Sequence, residues 1–297
     1  MLNIGIDTYC FHRLLGEVYD TQEAPERFMT IDEFLDYSKS VGADGVSLQT
    51  CFLPSEDEAY LKDLKEKLDG YGFKKRIYAW GHPSGLDGGS NEEMFEDLKV
   101  KIPRAKLIGT DVMRVAGGGY INRRDDHSKM VKDQIRMFKE AAKIAEDNGV
   151  KLAMENHNDL MFHEVEEIIR TVDSPNFGIT FDTLNWIRVG EDPIKCAKKL
   201  ADKIFAVHIK DGVTNKELPP DEWVYISCVP AGWGYVHAKE FLEILDENHY
   251  DGLVAIEFDN YDPRFEGMEK DAVSICIQNL RKMRAEIEVE KQQKKEV

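Results

Sequence analysis

Short apolar runs alternate with longer amphipathic segments along the chain. The apolar runs are rich in Val, Ile and Phe and are mostly continuous, which is typical of strands covered on both faces. We predict strands at 3–9, 44–50, 75–80, 111–116, 151–157, 177–182, 204–210 and 253–258. The segments between them have helical periodicity near 31–41, 57–70, 91–109, 128–148, 163–172, 193–201, 237–247 and 266–287.

Local signals support several of these helices. A capping box, in which Ser or Thr precedes Glu by three positions, is predicted at Thr30, Ser55 and Ser90. A left-handed residue is expected just after a helix at Gly70, Gly109 and Gly149.

The alternation of strand and helix predicts a closed (β/α)8 TIM barrel as one domain over residues 1–287. A doubly wound open sheet is the alternative, but no Gly-x-Gly-x-x-Gly follows the first strand. The charged tail at 288–297 is expected to fray. Segments 10–30 and 211–236 lack element patterning and are expected to form long functional loops over the barrel.

Charged or ligating side chains end four successive apolar runs. An unpaired carboxylate is costly to bury at such a position, whereas one divalent ion would compensate several together. The predicted metal ligands are Glu155, Asp182, His208 and Glu257. Taken singly, each could instead be a strand-end carboxylate paired with a lysine, or a core histidine. An oxygen-rich set with one imidazole favours an open octahedral ion, so we expect Mn²⁺, with Co²⁺, Mg²⁺ or Zn²⁺ as alternatives.

Composition narrows the partners of the chain. Its net charge of −17 over 297 residues argues against nucleic acid, because a phosphate backbone requires a basic face. The apolar runs are too short to span a membrane, and the first residues lack the basic start of a signal peptide. The five cysteines form no Cys-x-x-Cys pair, which indicates reduced thiols and a cytoplasmic location.

The motif order resembles the xylose isomerase-like barrels, which include ketose 3-epimerases, inosose dehydratases and related lyases. The resemblance is carried by Glu-Asn-His at 155–157, Phe-Asp-Thr-x-Asn at 181–185, His-Ile-Lys-Asp at 208–211, Pro-x-Gly-x-Gly at 230–234 and Ile-Glu-Phe at 256–258. It implies a keto-sugar held by the metal and enolised by removal of a neighbouring proton. In the epimerases the two metal-bound glutamates act on opposite faces of the sugar, which here implies Glu155 and Glu257.

Three departures from the epimerase pattern favour a lyase. Asn185 stands where those enzymes usually place a substrate-holding His, and Trp233 replaces the acid of the Pro-Gly-Glu-Gly loop. His157 follows Glu155 by two positions, so both side chains share one face of the strand and the imidazole would be a general base. This pattern resembles the catalytic subunit of C-glycoside deglycosidases, implying β-elimination from a 3-keto-glycoside. A sugar or sugar-phosphate isomerase or 3-epimerase is the alternative.

The remaining expectations concern substrate and partners. The candidate substrate contacts are His82, Arg114, Asn185, Lys210 and Trp233. The candidates for an aromatic platform that holds an aglycone are Trp80, Trp186, Trp223 and Trp233. Arg114 and Lys210 are also typical of structural salt bridges. We expect a small-molecule keto-sugar or glycoside as substrate and an oligomer, with a small accessory subunit implied by the lyase resemblance. A multi-metal nuclease and a non-catalytic sugar-binding subunit are the rival classes.

Overall fold

The computed structural model describes residues 1–20, 22–81 and 85–295. Its described part contains ten strands: β1 Asn3–Asp7, β2 Gly45–Gln49, β3 Lys75–Ala79, β4 Val112–Ala116, β5 Lys151–Glu155, β6 Phe177–Asp182, β7 Ile204–Ile209, β8 Asp211–Thr214, β9 Ile226–Val229 and β10 Leu253–Ile256. Eight of them pair in parallel and close in the order β1-β10-β7-β6-β5-β4-β3-β2. The predicted (β/α)8 TIM barrel is confirmed.

Helices cover the outside of the barrel. In the described residues they are α1 Ile31–Ser40, α2 Glu58–Tyr71, α3 Glu92–Lys101, α4 His127–Asn148, α5 Phe162–Val172, α6 Thr183–Arg188, α7 Pro193–Leu200, α8 Ala238–Glu247 and α9 Glu269–Lys295. Their apolar faces and the outward faces of the strands form the main hydrophobic core. None of the helices in the described ranges is both long and apolar enough to cross a membrane.

Small side chains fill the barrel interior below the candidate metal ligands. Ala153, Ala206 and Ala255 each lie two positions before a predicted ligand, on the same face of its strand, and are buried together. The strands also approach closely at Gly5, where an added Cβ would lie 2.3 Å from the carbonyl oxygen of Gly45. The narrow lower barrel therefore leaves room for large polar groups only at the carboxyl ends of the strands.

Two of the predicted capping boxes are wrong. Thr30 and Glu33 form the expected reciprocal pair at α1. The other two helices begin later than predicted. Asp57, not Ser55, caps α2, and Asn91, not Ser90, caps α3. At the opposite ends, Gly109 and Gly149 are left-handed as predicted, whereas Gly70 lies inside α2 and Gly72 takes that role.

The last helix, α9, continues beyond its predicted end at 287 and reaches Lys295, so it includes most of the tail that was expected to fray. Two ion pairs connect this last part to α8, Lys239 with Glu290 at 2.9 Å and Lys291 with Asp246 at 2.5 Å. Alternating charges along this stretch therefore mark a solvated helix face.

The loop at 211–236 contains structure that its sequence pattern did not indicate. Strands β8 and β9 form an antiparallel hairpin in this segment. The Asp211 carboxylate accepts hydrogen bonds from the backbone N–H groups of Gly232, Gly234 and Val236, at 2.8–2.9 Å. These bonds fix the Pro-x-Gly-x-Gly segment against the base of the hairpin.

Candidate active site and metal centre

Four strands each place two functional side chains at the carboxyl end of the barrel, two positions apart. We call the deeper set the lower layer, and it consists of Asp7, Glu155, His208 and Glu257. The set two positions further along the chain is the upper layer, and it consists of Tyr9, His157, Lys210 and Asp259. The upper-layer residues lie just beyond the strand ends, Tyr9 in a short 3-10 helix at Thr8–Phe11, so each follows its lower-layer residue into the cavity.

The four predicted metal ligands come together, three of them in the lower layer and Asp182 at the end of β6. One ligand atom from each of Glu155, Asp182, His208 and Glu257 lies within 4.8 Å of the others, and all four side chains are buried. Nδ1 of His208 lies 2.9 Å from Glu257 and 3.4 Å from Glu155. Its Nε2 faces Asp7 at 3.6 Å, which is longer than a hydrogen bond, on the side where a carboxylate orients the imidazole in many metal sites.

Two buried cations contact this carboxylate cluster. Arg114 donates to Glu155 at 2.5 Å. Lys210 Nζ lies 2.9 Å from Asp182, 2.6 Å from Glu257 and 2.9 Å from Asp259. Arg114 and Lys210 therefore form salt bridges, the alternative considered for both, and these salt bridges lie inside the candidate site.

The donor set fits a divalent cation. Oδ2 of Asp182, Nδ1 of His208 and Oε2 of Glu257 are buried without a hydrogen bond of acceptable geometry, although charged neighbours lie close by. Buried polar atoms in folded proteins are normally satisfied, and a divalent cation would satisfy these three, two of which face the Lys210 ammonium. Three carboxylates and one imidazole are donors that Mn²⁺, Co²⁺ and Zn²⁺ accept.

Burial and neighbouring charges shift the pKa values of Asp182 and Glu257 in opposite directions. Burial raises the pKa of Asp182 to about 6 even though Lys210 is close. Burial acts the same way on Glu257, but the charges of His208 and Lys210 outweigh it and hold that pKa at about 2. The neighbouring glutamates raise the pKa of His208 well above its usual range against the effect of burial. A metal ion would compete with that proton, because imidazole binds metal only when neutral.

A cavity of about 580 Å³ opens above the ligands. All four upper-layer residues and Glu257 line it, together with Tyr120, Ile121 and Trp223. Charged and aromatic side chains therefore share one cavity, which suits a polyhydroxylated ring carrying a less polar substituent.

His157 lies in the cavity, and its role as a base stays a prediction. It lines the cavity, and its Nδ1 lies 3.0 Å from the carbonyl oxygen of Gly118. A carbonyl accepts only from N–H, so this bond places the proton on Nδ1 and leaves the lone pair on Nε2. The next residue, Asn158, has a left-handed backbone with φ of 57°, which is uncommon outside glycine and recurs at functional sites.

The other predicted substrate contacts differ in whether they lie near the cavity. Asn185 Nδ2 lies 3.4 Å from Glu155 and donates to Asn156 O at 3.0 Å, so it adjoins a ligand. Trp233 is half exposed, and its ring packs against Phe265 at 5.8 Å instead of lining the cavity. Among the other tryptophans, Trp223 lines the cavity, whereas Trp80 and Trp186 are buried. His82 lies outside the described residues.

Several residues of the site were not predicted. Asp7 ends β1, and its apolar run has the same form as the four runs that were recognised. Asp259 follows Glu257 by two positions, so the reasoning that selected His157 would have selected it too. Arg188 pairs with Asp259 through two contacts of 2.6 and 2.9 Å, but no local sequence signal links α6 to the end of β10.

Comparison with known proteins agrees with this geometry. A family model described as a xylose isomerase-like TIM barrel matches residues 35–283. The chain belongs to this family. The resemblance drawn from the motifs is thereby confirmed, while the deglycosidase branch stays a prediction.

Relatives within the family include carbohydrate-modifying enzymes. An inosose dehydratase from Mesomycoplasma hyopneumoniae is 23% identical, over 80% of this chain and 83% of its own. Several other curated relatives match over only 40% to 49% of their own length.

Solved structures share the fold at low identity. The IolI protein, whose crystal structure has a bound zinc atom, aligns with a TM-score of 0.70 and 20% identity over 96% of this chain and 98% of that one. An L-ribulose 3-epimerase aligns with a TM-score of 0.69 and 15% identity over 97% and 98%. At these identities the alignments show the barrel fold.

Proposed function

We propose that the chain is a divalent-metal-dependent lyase that enolises a keto-sugar and eliminates the substituent β to the carbonyl. The observation that carries the proposal is the position of His157, which lines the cavity and bonds through Nδ1 to the carbonyl oxygen of Gly118, so that Nε2 is the nitrogen left to accept a proton. A 3-keto-glycoside is the proposed substrate, with the proton leaving C2 and the aglycone leaving C1. Mn²⁺ is the proposed ion, and an oligomer with a small accessory subunit is the proposed assembly.

Glu155, Asp182, His208 and Glu257 would hold the ion. When bound, a divalent ion acts as a Lewis acid that makes the proton beside a carbonyl easier to remove. The chain supplies the rest: Glu155, Asp182, His208 and Glu257 as ligands, and Asp7 to orient the imidazole. The barrel wall excludes bulk water from these buried groups, so their charges act at low dielectric.

The contacts of the two glutamates favour a single base over a pair. Glu155 receives Arg114 at 2.5 Å, and Glu257 receives Lys210 at 2.6 Å. An oxygen of each carboxylate is already paired with a cation. Neither glutamate therefore offers a free carboxylate that could accept a proton from carbon. His157 meets that requirement on one wall, and one-sided abstraction followed by loss of a leaving group is lyase chemistry.

The relatives support the same reaction class. An enzyme named inosose dehydratase removes water from a polyhydroxylated ring ketone, which is an elimination beside a carbonyl. The epimerase named among the structural neighbours supports the alternative, in which Glu155 and Glu257 exchange protons on two faces of a ketose. Their ligand atoms lie within 4.8 Å of one another, which brings both carboxylates to one substrate position.

Proton NMR in D₂O would separate the candidates. The metal-loaded chain is incubated with 3-keto-glucosides and with free ketoses. Release of the aglycone with formation of an enone that lacks the C2 proton, together with deuterium at C2 of the recovered substrate, is the expected result for the lyase. Deuterium with inversion of configuration and no release would establish the epimerase, and the absence of exchange on every substrate would reject both.

A further inference from the structure

Three cavity residues from the first βα loop form a hydrogen-bonded cluster that the proposed reaction has not used. The Tyr9 hydroxyl lies 2.7 Å from the Tyr19 hydroxyl and donates to Glu17 Oε1 at 3.0 Å. All three side chains line the cavity. Adjacent phenols and a carboxylate facing a substrate cavity are groups that hold and transfer protons.

Tyr9 lies on the wall opposite His157. The barrel order places three strands between β1 and β5 in either direction, so the two strands are diametrically opposed. Tyr9 follows Asp7 by two positions, as His157 follows Glu155. A substrate ring above the metal ligands would therefore have an imidazole on one side and a phenol on the other.

Packing fixes the phenol cluster. The His12 ring stacks on Tyr9 at 5.1 Å and on Tyr19 at 4.5 Å, and its Nδ1 lies 2.8 Å from the Glu17 carbonyl oxygen. Tyr19 also meets the cavity residue Trp223 edge-on at 6.2 Å. Burial, with Tyr19 and Glu17 as neighbours, raises the pKa of Tyr9 well above its usual range, so the phenol retains its proton.

We propose that Tyr9 is the catalytic acid that protonates the leaving oxygen, from the wall facing His157. The inference rests on the proposed function, since it assigns the second proton of the same elimination. His157 Nε2 takes the proton beside the carbonyl, the carbon–carbon double bond forms, and the bond from carbon to the leaving oxygen breaks. That oxygen takes the phenolic proton of Tyr9, which regains one from Tyr19, and Tyr19 exchanges with water.

The positions of the base and the acid determine the stereochemistry of the elimination and how strongly its rate depends on the leaving group. Base and acid on opposite walls require the proton and the leaving oxygen to depart from opposite faces of the ring. The acid matters most when the leaving oxygen is strongly basic, because a stable phenolate departs without being protonated. Leaving-group dependence therefore distinguishes a proton donor from a residue that only shapes the cavity.

The test compares Tyr9→Phe with the wild-type chain, both metal-loaded, on methyl and 4-nitrophenyl 3-keto-glucosides. We expect turnover of the methyl glycoside to fall by about 10²- to 10⁴-fold, the usual contribution of a general acid. Turnover of the nitrophenyl glycoside should fall far less, and deuterium incorporation at C2 should persist. Tyr19→Phe should show the same trend at smaller size. Tyr235→Phe is the matched control, because that exposed tyrosine bonds Thr214 outside the cavity.

The outcomes separate the inference from the proposed function. Equal losses on both substrates, in a Tyr9→Phe chain that folds normally by circular dichroism, would make Tyr9 a structural residue and overturn the inference alone. No C2 exchange by the wild-type chain on either glycoside would overturn the proposed function, and the assignment of Tyr9 with it.

Discussion

The two sides of the barrel mouth are built from different chemistry. On the side formed by β5, β6, β7 and β10, which we call the ligand half, carboxylates and an imidazole converge and are surrounded by buried cations. On the side formed by β1, β2 and the loop after β1, which we call the hydroxyl half, the cavity is lined by phenols, Gln49 and Glu17. The first side suits a cation, and the second suits hydrogen bonds to a neutral substrate.

This difference shows how one barrel divides its tasks. The lower layer of the ligand half is buried, and its charges require fixed partners. The hydroxyl half is carried partly by a loop, which varies without disturbing the barrel. We therefore expect changes in the ligand half to abolish function, and changes in the hydroxyl half to alter which substrate reacts.

The largest effect should come from Asp182→Asn. The change removes one negative ligand, while the amide oxygen can still accept the backbone N–H groups of Leu184 and Asn185 that cap α6. We expect metal affinity to fall by more than about 100-fold and activity to vanish, because even outer groups of such sites are worth 10- to 100-fold. Titration calorimetry with Mn²⁺ and Zn²⁺ measures the affinity.

The matched control is Asp192→Asn, which makes the same cap exchange on α7 far from the ligands. Wild-type metal affinity is expected for this control. Wild-type affinity in Asp182→Asn as well would mean that the ligand half does not bind the ion through this carboxylate.

His157→Gln should leave the metal bound but lower turnover by about 10²- to 10⁴-fold, the usual contribution of a general base. Exchange at the carbon beside the carbonyl should fall in parallel. His163→Gln, on the exposed face of α5, is the control and should behave as wild type. Unchanged exchange in His157→Gln would transfer the role of base to another residue of the cavity.

Asp7→Asn tests whether the hydroxyl half contributes to the ligand half. Asp7 faces Nε2 of His208, so an amide there should weaken the orientation of the imidazole and lower metal affinity by about 10- to 100-fold. Its cap on Tyr9 N can be kept by the amide oxygen. Asp57→Asn makes the same exchange at the start of α2 and should leave metal affinity unchanged. Equal affinities in all three chains would mean that β1 has no part in the metal site.

The smallest effects distinguish two tryptophans. Trp233→Ala should lower the free energy of unfolding by about 1 kcal/mol, because the half-exposed ring loses its contact with Phe265, and should leave KM unchanged. Trp223→Ala should raise KM, because that ring lines the cavity. A raised KM in Trp233→Ala would restore the substrate-binding role predicted from the loop sequence.

The barrel and the ligand half could be predicted from the sequence for one physical reason. A charge at the end of a buried apolar run is costly, so Glu155, Asp182, His208 and Glu257 stand out against their surroundings. Convergence then follows from the closed barrel, which brings strand ends to one axis. The same reasoning extends to Asp7, whose position was visible but whose role required the observed contact with His208.

The phenol cluster of the hydroxyl half could not be predicted in this way. Tyr9 ends the predicted first strand, two positions after Asp7, but Tyr19 lies in the loop that follows, and only the fold brings their hydroxyl groups to 2.7 Å. Arg188 likewise reaches Asp259 from an element 71 positions away. The role expected for Trp233 rested on its place in a motif, and the direction of its ring depends on packing that a motif does not record.

The charges of the ion-pair cluster match the charge of the proposed divalent ion. Five carboxylates and three cations meet in it, namely Asp7, Glu155, Asp182, Glu257, Asp259, Arg114, Arg188 and Lys210. With a neutral histidine as ligand, this leaves a surplus of two negative charges, which a divalent ion cancels. A monovalent ion would leave one charge uncompensated, and a trivalent ion would add one of opposite sign. Electroneutrality of a buried volume would therefore select the charge of the metal before size or geometry discriminates between elements.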